Sequence, residues 1–200
     1  MPRRTTLAVV VVVVAAAAVA LVALAGGGGK GLAPEAATGQ VELVSSSVAV
    51  LPEAERPPLP AFAGRTLDGR QLDLASLRGH PLVLNFWASW CGPCRAEQEG
   101  LELASKALAG RDVRLVGVNI RDDQGAASSY LEEFGVGYPS LFDRPAVLPA
   151  RLGALGPQAP PYTLVVDAKG RVAARVFGAL PGDRPERQAA LLTDLVERVT

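Results

Sequence analysis

Two cysteines, Cys91 and Cys94, are the only ones in this 200-residue chain, and Gly92 and Pro93 separate them. A disulfide across so short a loop constrains the unfolded chain very little, so a structural staple is the weaker reading of the pair. A secreted fold held by disulfides would show several spaced pairs. Zinc would need three or four protein ligands, and His80 is the single histidine, so no metal site is expected. What two thiols at this spacing can do is exchange: one attacks a disulfide as thiolate, and the other resolves the mixed disulfide. Such a pair needs its first sulfur where an anion is stabilised, and the N-terminus of a helix supplies that with unpaired N–H groups and a partial positive charge. Cys91 is therefore expected at the very start of a helix as the nucleophile, with a lowered pKa. Cys94, one turn further in, is expected to be the more buried of the two and to resolve. Pro93 suits the first helical turn, where its missing N–H costs nothing.

The flanking elements must deliver that geometry. Residues 81–87 form a continuous apolar run of strand length, the pattern of a strand buried on both faces. Residues 96–109 are rich in helix formers and stop at Gly110. The motif thus lies between a buried strand and a helix. Residues 62–66 and 71–74 flank Asp68-Gly69 and predict a β-hairpin, and 76–79 a short helical turn ending on glycine. Further on, the pattern predicts a strand over 113–120, a helix over 124–134 closed by Gly135 and Gly137, a short strand over 138–142 and a short helix over 146–152. A second hairpin spans 163–177 around Asp167–Gly170, and a helix over 184–199 ends the chain. That order describes an α/β fold, a central mixed β-sheet with helices on both faces.

Every aromatic residue lies at or after Phe62, so the domain is assigned to 59–200. About 140 residues suffice for a two-layer core. Twenty basic and twenty acidic residues balance, and no basic face suggests nucleic acid. Before the domain, Arg3 and Arg4 precede an unbroken apolar run over 7–25. As a helix it would rise about 28 Å, close to the hydrocarbon thickness of a bilayer. Residues 1–25 are read as a signal anchor, with the arginines inside and the domain outside the cytoplasm. Ala23-Leu24-Ala25 leaves cleavage and secretion as the alternative. Residues 26–58, rich in Gly, Pro and Ser, are read as a mostly extended linker, with 41–51 apolar enough for one local strand.

The stretch Asn-Phe-Trp-Ala-Ser-Trp-Cys-Gly-Pro-Cys-Arg-Ala-Glu over 85–97 resembles the thioredoxin superfamily, and more narrowly its TlpA/ResA-like extracytoplasmic branch. That branch includes the DsbE/CcmG-like reductases of cytochrome c maturation. The resemblance runs from about Leu59 to Thr200. It implies a thioredoxin-like fold with an N-terminal β-hairpin and an αβ insertion, dithiol–disulfide exchange with protein partners, a membrane electron donor of the CcdA/DsbD kind, no cofactor, and a monomer. It also implies site residues. Glu97 matches a buried glutamate under the active site; a carboxylate there can take the proton of a buried thiol if burial raises its pKa. Asn85 stands where cytosolic thioredoxins carry a buried aspartate. Pro161 matches the cis-proline that packs against the disulfide, and Trp90, Gly92, Pro93, Pro160 and Tyr162 fall at the substrate-facing surface.

Two positions depart from the pattern. Pro160 has no N–H with which to hold an added strand, so looser peptide docking is expected. Glu99-Gly100 replaces a proline that kinks the first helix in relatives; Gly100 is a candidate for the same bend. Trp87 and His80 read as structural. The expected activity is thus thiol–disulfide exchange, in the reductive direction. An oxidase of the same fold is the alternative. A peroxiredoxin-type peroxidase is disfavoured because Ala88-Ser89-Trp90 precedes Cys91 in place of Pro-x-x-x-Thr/Ser-x-x, and a non-catalytic binding module because both cysteines are intact.

Overall fold

The structure, a computed structural model, describes residues 42–45 and 47–200, all within a compact unit that spans 38–200. Among them no helix is long and apolar enough to cross a membrane. The apolar run over 7–25 lies outside the described residues, as does most of the linker.

The continuous apolar run becomes β5 (Leu82–Trp87), every residue of which is buried. It is buried because it lies inside the sheet. Strand β6 (Arg114–Ile120) pairs with it in parallel and β8 (Tyr162–Val166) antiparallel on the other side. Strand β7 (Ser140–Asp143) extends the parallel side, and β9 (Val172–Phe177) the antiparallel one. Two short strands that come first among the described residues, β1 (Glu42–Ser45) and β2 (Val48–Val50), complete a seven-stranded order β1-β2-β9-β8-β5-β6-β7. The opening hairpin, β3 (Ala63–Arg65) and β4 (Gln71–Asp73), forms a separate two-stranded sheet. It leans on the β7 edge through a bridge between Thr66 and Leu141.

The period-two alternation along β5 divides its side chains between two cores. Leu82, Leu84 and Phe86 face one, with Val118, Leu141, Leu148 and Leu164. Val83 faces the other, with Leu101, Ala104 and Leu108 of helix α1 (Gly92–Ala109) and Leu192, Leu195 and Val196 of helix α4 (Pro185–Val199). Asn85 and Trp87 follow Val83 in that alternation, so both lie on the α1 side of the sheet. A third cluster joins Trp87, Ala88, Cys91 and Cys94 to Ala127 and Tyr130 of helix α2 (Gln124–Phe134). Helix α3 (Val147–Leu152) adds Leu148 and Leu152 to the hairpin-side core.

Helices α1 and α4 pack through a glycine. A Cβ on Gly100 would come within 2.5 Å of the Gln188 side chain and 3.2 Å of the Pro185 carbonyl. Gly100 therefore permits a close approach. Helix α1 runs unbroken through it.

The linker reading over 26–58 also changes. Its apolar part yields two strands where one was expected, and β2 pairs with β9 with Val48 and Ala49 buried. The fold therefore starts ahead of Leu59. Arg56 fastens the following segment: its guanidinium donates to Asp167 at 3.2 Å, to the Val199 carbonyl at 3.1 Å and to the Leu51 carbonyl at 3.3 Å. Both ionic side chains are nearly covered, at 11% and 6% exposure, although Arg171 also neutralises Asp167. Removing one partner from such a bridge leaves buried acceptors unmet. Arg56→Ala is expected to lower stability by about 2 kcal/mol, read as a lower urea midpoint at unchanged slope. An unchanged midpoint would mean that the segment is only laid against the domain.

Candidate active site

Strand β5 ends at Trp87 and helix α1 begins at Gly92, so the intervening turn carries Cys91 to the mouth of the helix. Cys91 is the N-cap, with extended backbone (φ −85°, ψ 104°), and Pro93 lies in the first turn. The Cys94 backbone N–H donates to the Cys91 sulfur at 3.2 Å. This is the N-cap geometry usual for serine or aspartate, with sulfur in place of oxygen. The two cysteines are joined by a disulfide. Both are covered, Cys91 at 3% and Cys94 at 1% exposure, so the expected contrast in burial is small in this state. Around them Gly92 and Pro93 are exposed, and Trp90 is one of two exposed large apolar side chains among the described residues.

One turn below Cys94 on the same helix, Glu97 is wholly buried. Its Oε1 accepts from the Asn85 amide at 2.9 Å and its Oε2 from the Leu180 backbone N–H at 2.7 Å. The Asn85 amide also donates to the Thr163 hydroxyl at 3.1 Å. Burial pushes the Glu97 carboxyl up to about 7, against the smaller pull of those two hydrogen bonds. A buried acid held near neutrality can give or take a proton at ordinary pH.

On the strand side, the Pro160–Pro161 bond is cis, and Pro161 leads directly into β8. Pro160 is half-buried. Tyr162 needs a correction. It is 3% exposed, its ring packs edge-on against Phe86 and Phe177, and its hydroxyl donates to the Leu155 carbonyl at 2.9 Å. It belongs to the core beneath the surface, because the first residue of β8 points its side chain into the sheet's hairpin-side core. It cannot present its ring to a substrate there. Trp87 is core, as expected, with its indole on Ser140, and His80 pairs with Asp112 at 2.7 Å.

Sequence reasoning missed three participants. The Leu180 N–H on Glu97 is a backbone donor, which no side-chain pattern reveals. Tyr130 donates to the Cys94 carbonyl at 3.1 Å and stacks on Trp87 at 4.5 Å; it reads as an ordinary helical aromatic. Asp122 is buried beside the turn that carries Cys91, and accepts from Ser89. Its signal was available, since polar side chains at the carboxyl end of a central parallel strand mark a site in an open α/β sheet.

The raised Glu97 carboxyl makes stability depend on pH. Its folded pKa of about 7 lies above the ordinary 4.5, so the folded state binds the proton more tightly than the unfolded chain. The stabilisation is fully present below about 4.5 and is lost as pH rises through about 7. Glu97→Gln, a neutral isostere, removes that dependence. Between pH 4.5 and 8 the oxidised wild type is expected to lose about 3 kcal/mol relative to the variant, measured by denaturant unfolding at several pH values. Parallel curves would contradict the burial of an ionising group at this position.

The family model described as Redoxin matches residues 54–191. The thiol:disulfide interchange protein DsbE of Yersinia pestis is 39% identical over 138 residues, which cover 67% of this chain and 69% of that one. In the Escherichia coli K12 DsbE, at 38% identity, the match spans 65% of the relative, just under two thirds of its length. The thiol-disulfide oxidoreductase ResA of Bacillus subtilis is 27% identical over 121 residues, 60% of this chain and 66% of that one. Among solved structures, a DsbF homologue from Corynebacterium diphtheriae superposes with a TM-score of 0.68 at 28% identity, covering 78% of this chain and 96% of the other. A secreted Mycobacterium tuberculosis disulfide oxidoreductase homologous to E. coli DsbE gives 0.57 at 30% identity, with 68% and 95% covered. The chain belongs to the Redoxin family, and within it to the thiol–disulfide oxidoreductases of the DsbE and ResA type.

Proposed function

We propose that this chain reduces protein disulfides outside the cytoplasm, with Cys91 as nucleophile, Cys94 as resolving thiol and Glu97 as the group that handles the Cys94 proton. The observation that carries the reading is the Cys91 sulfur at the N-cap of α1, with the Cys94 N–H directed at it. A thiolate at that sulfur gains from the helix dipole as well as from the donor.

The reaction balances as two electrons and two protons passed from the dithiol to the substrate. The Cys91 thiolate attacks one sulfur of the substrate disulfide; that S–S bond breaks, a mixed disulfide forms, and the first substrate thiolate leaves and takes a proton. Cys94 loses its proton to Glu97 and attacks the Cys91 sulfur. The Cys91–Cys94 disulfide forms, the second substrate thiolate leaves, and the proton from Glu97 ends on it. A membrane dithiol donor of the CcdA/DsbD kind then restores Cys91 and Cys94.

Docking uses the exposed surface of Trp90, Gly92 and Pro93, facing cis-Pro161. Pro160 leaves an incoming strand only a carbonyl to pair with, because it has no N–H, so side-chain contacts to Trp90 bear more of the binding. The poise of a Cys-Gly-Pro-Cys pair supports reduction, since thioredoxin stands at about −270 mV. The apolar run over 7–25 supports an anchored or exported domain, and cytochrome c maturation fits as one use of such a reductant. The domain is proposed to act as a monomer.

Reduced full-length protein is expected to reduce insulin. Cys94→Ser should stop turnover and accumulate a mixed disulfide on Cys91, seen as a thiol-sensitive adduct by mass spectrometry, whereas Cys91→Ser should form none. An adduct on Cys94 in the Cys91→Ser protein alone would reverse the two roles. An inert wild type would leave a binding module.

A further inference from the structure

The turn between β5 and α1, residues 88–91, positions both Trp90 and Cys91, yet its own backbone ties are few. Within it the Cys91 N–H reaches the Ala88 carbonyl at 3.1 Å. Cys91 is also tied forward into α1, its carbonyl accepting from the Arg95 N–H at 3.2 Å and its sulfur from the Cys94 N–H. The ties of Ser89 and of the Trp90 side chain lead instead to one place, the residues just after β6. The Ser89 N–H donates to Asp122 Oδ2 at 2.6 Å and the Ser89 hydroxyl to Asp122 Oδ1 at 2.8 Å. The Trp90 indole N–H donates to the Arg121 carbonyl at 3.0 Å. Asp122 is itself fixed from the other side, by the Asn119 amide at 2.8 Å and the Asp123 N–H at 2.9 Å.

Both carboxylate oxygens thus take two donors each, at 6% exposure. Burial pushes this carboxyl up, but the four donors outweigh it and hold the pKa below the ordinary range. Arg121, whose carbonyl takes the indole, adopts φ +51°. For a residue with a Cβ that left-handed backbone is strained, and strain of this kind persists where the surroundings enforce it. A residue that only capped helix α2 would need none of this. The adjacent Asp123 does the capping, accepting from Gly125 and Ala126.

We propose that Asp122 is a positioning residue for the redox pair: with the Arg121 carbonyl it clamps Ser89 and Trp90, so that the Cys91 sulfur stays at the N-terminus of α1 and the Trp90 ring stays beside it. The proposal rests on the reading of Cys91 as the nucleophile. It acts through geometry, and geometry and charge pull in opposite directions here. Deleting the negative charge of Asp122 by itself favours the Cys91 thiolate and lowers its pKa. Releasing the clamp lets the sulfur drift from the helix N–H groups, which raises it. The other ionisable groups nearby, Arg95 and Glu97 on α1, Arg121 and Asp123 after β6, and Tyr130 and Glu133 on α2, are kept in the variant and do not change that comparison.

The test is the pH midpoint of Cys91 alkylation by iodoacetamide in reduced full-length protein, with wild type, Asp122→Asn and Ser89→Ala compared. The asparagine keeps the shape of the side chain but must set an NH₂ against at least one of the backbone donors. The expected result is an upward midpoint shift of half a unit or more for Asp122→Asn, with a smaller upward shift for Ser89→Ala, which keeps the backbone tie. Insulin turnover by Asp122→Asn should fall at least tenfold in kcat/KM. A midpoint that stays or moves down in both variants overturns the clamp and leaves Asp122 as a nearby charge. If wild type itself fails on insulin, the reductase reading fails, while the alkylation midpoint still decides the clamp.

Discussion

Everything at this site depends on one placement: the sulfur of Cys91 against the Cys94 N–H in the first turn of α1. An N–H there lacks an intrahelical partner by construction, and an anion facing it is stabilised by hydrogen bonding and by the dipole together. The placement requires the strand before it to be immobile and the helix after it to be long. β5 is fixed by neighbours on both sides, parallel to β6 and antiparallel to β8. α1 is fixed by Gly100, which lets α4 approach within side-chain contact. The sheet therefore serves the site as a rigid mount. Strand β8, which cis-Pro161 leads into, is the antiparallel neighbour of the strand that leads to the cysteines.

Beneath that sits a polar island in an apolar layer. Asn85 and Glu97 are fully buried, a costly arrangement unless each group is paired. Glu97 is paired at both oxygens, but neither donor is a cation, and so the proton is held to near neutral pH. Asn85 can donate to Glu97 only because the alternation of β5 turns it toward α1. An aspartate at 85 would set two carboxylates against one another; the amide leaves Glu97 as the single acid behind the cysteines.

Much of this was readable from the residues, and the reasons differ by element. Helix α2 matches its sequence span because Asp123 caps its start and Gly135, at φ +58°, ends it. β5 was plain because five apolar residues around a single asparagine leave no polar face to turn toward water. Strands β1 and β2 were not, since their pairing with β9 joins Val48 to Val176, and nothing local announces a contact that distant. Tyr162 was misplaced because family position tells where a residue sits along the chain, while its side-chain direction is set by the parity of β8. Asp122 was hidden beside Asp123, and two adjacent aspartates before a helix look like capping. The Leu180 contact is made by backbone and has no letter in the sequence.

The central claim is that this placement yields an electron donor, and the reduction potential of the Cys91–Cys94 couple tests it most directly. Full-length protein would be equilibrated against glutathione and dithiothreitol buffers and the dithiol fraction counted by alkylation. The account predicts a value near thioredoxin's, about −270 mV, or below it. A value near −120 mV, that of a strong periplasmic oxidant, would mean that electrons run the other way and would contradict it.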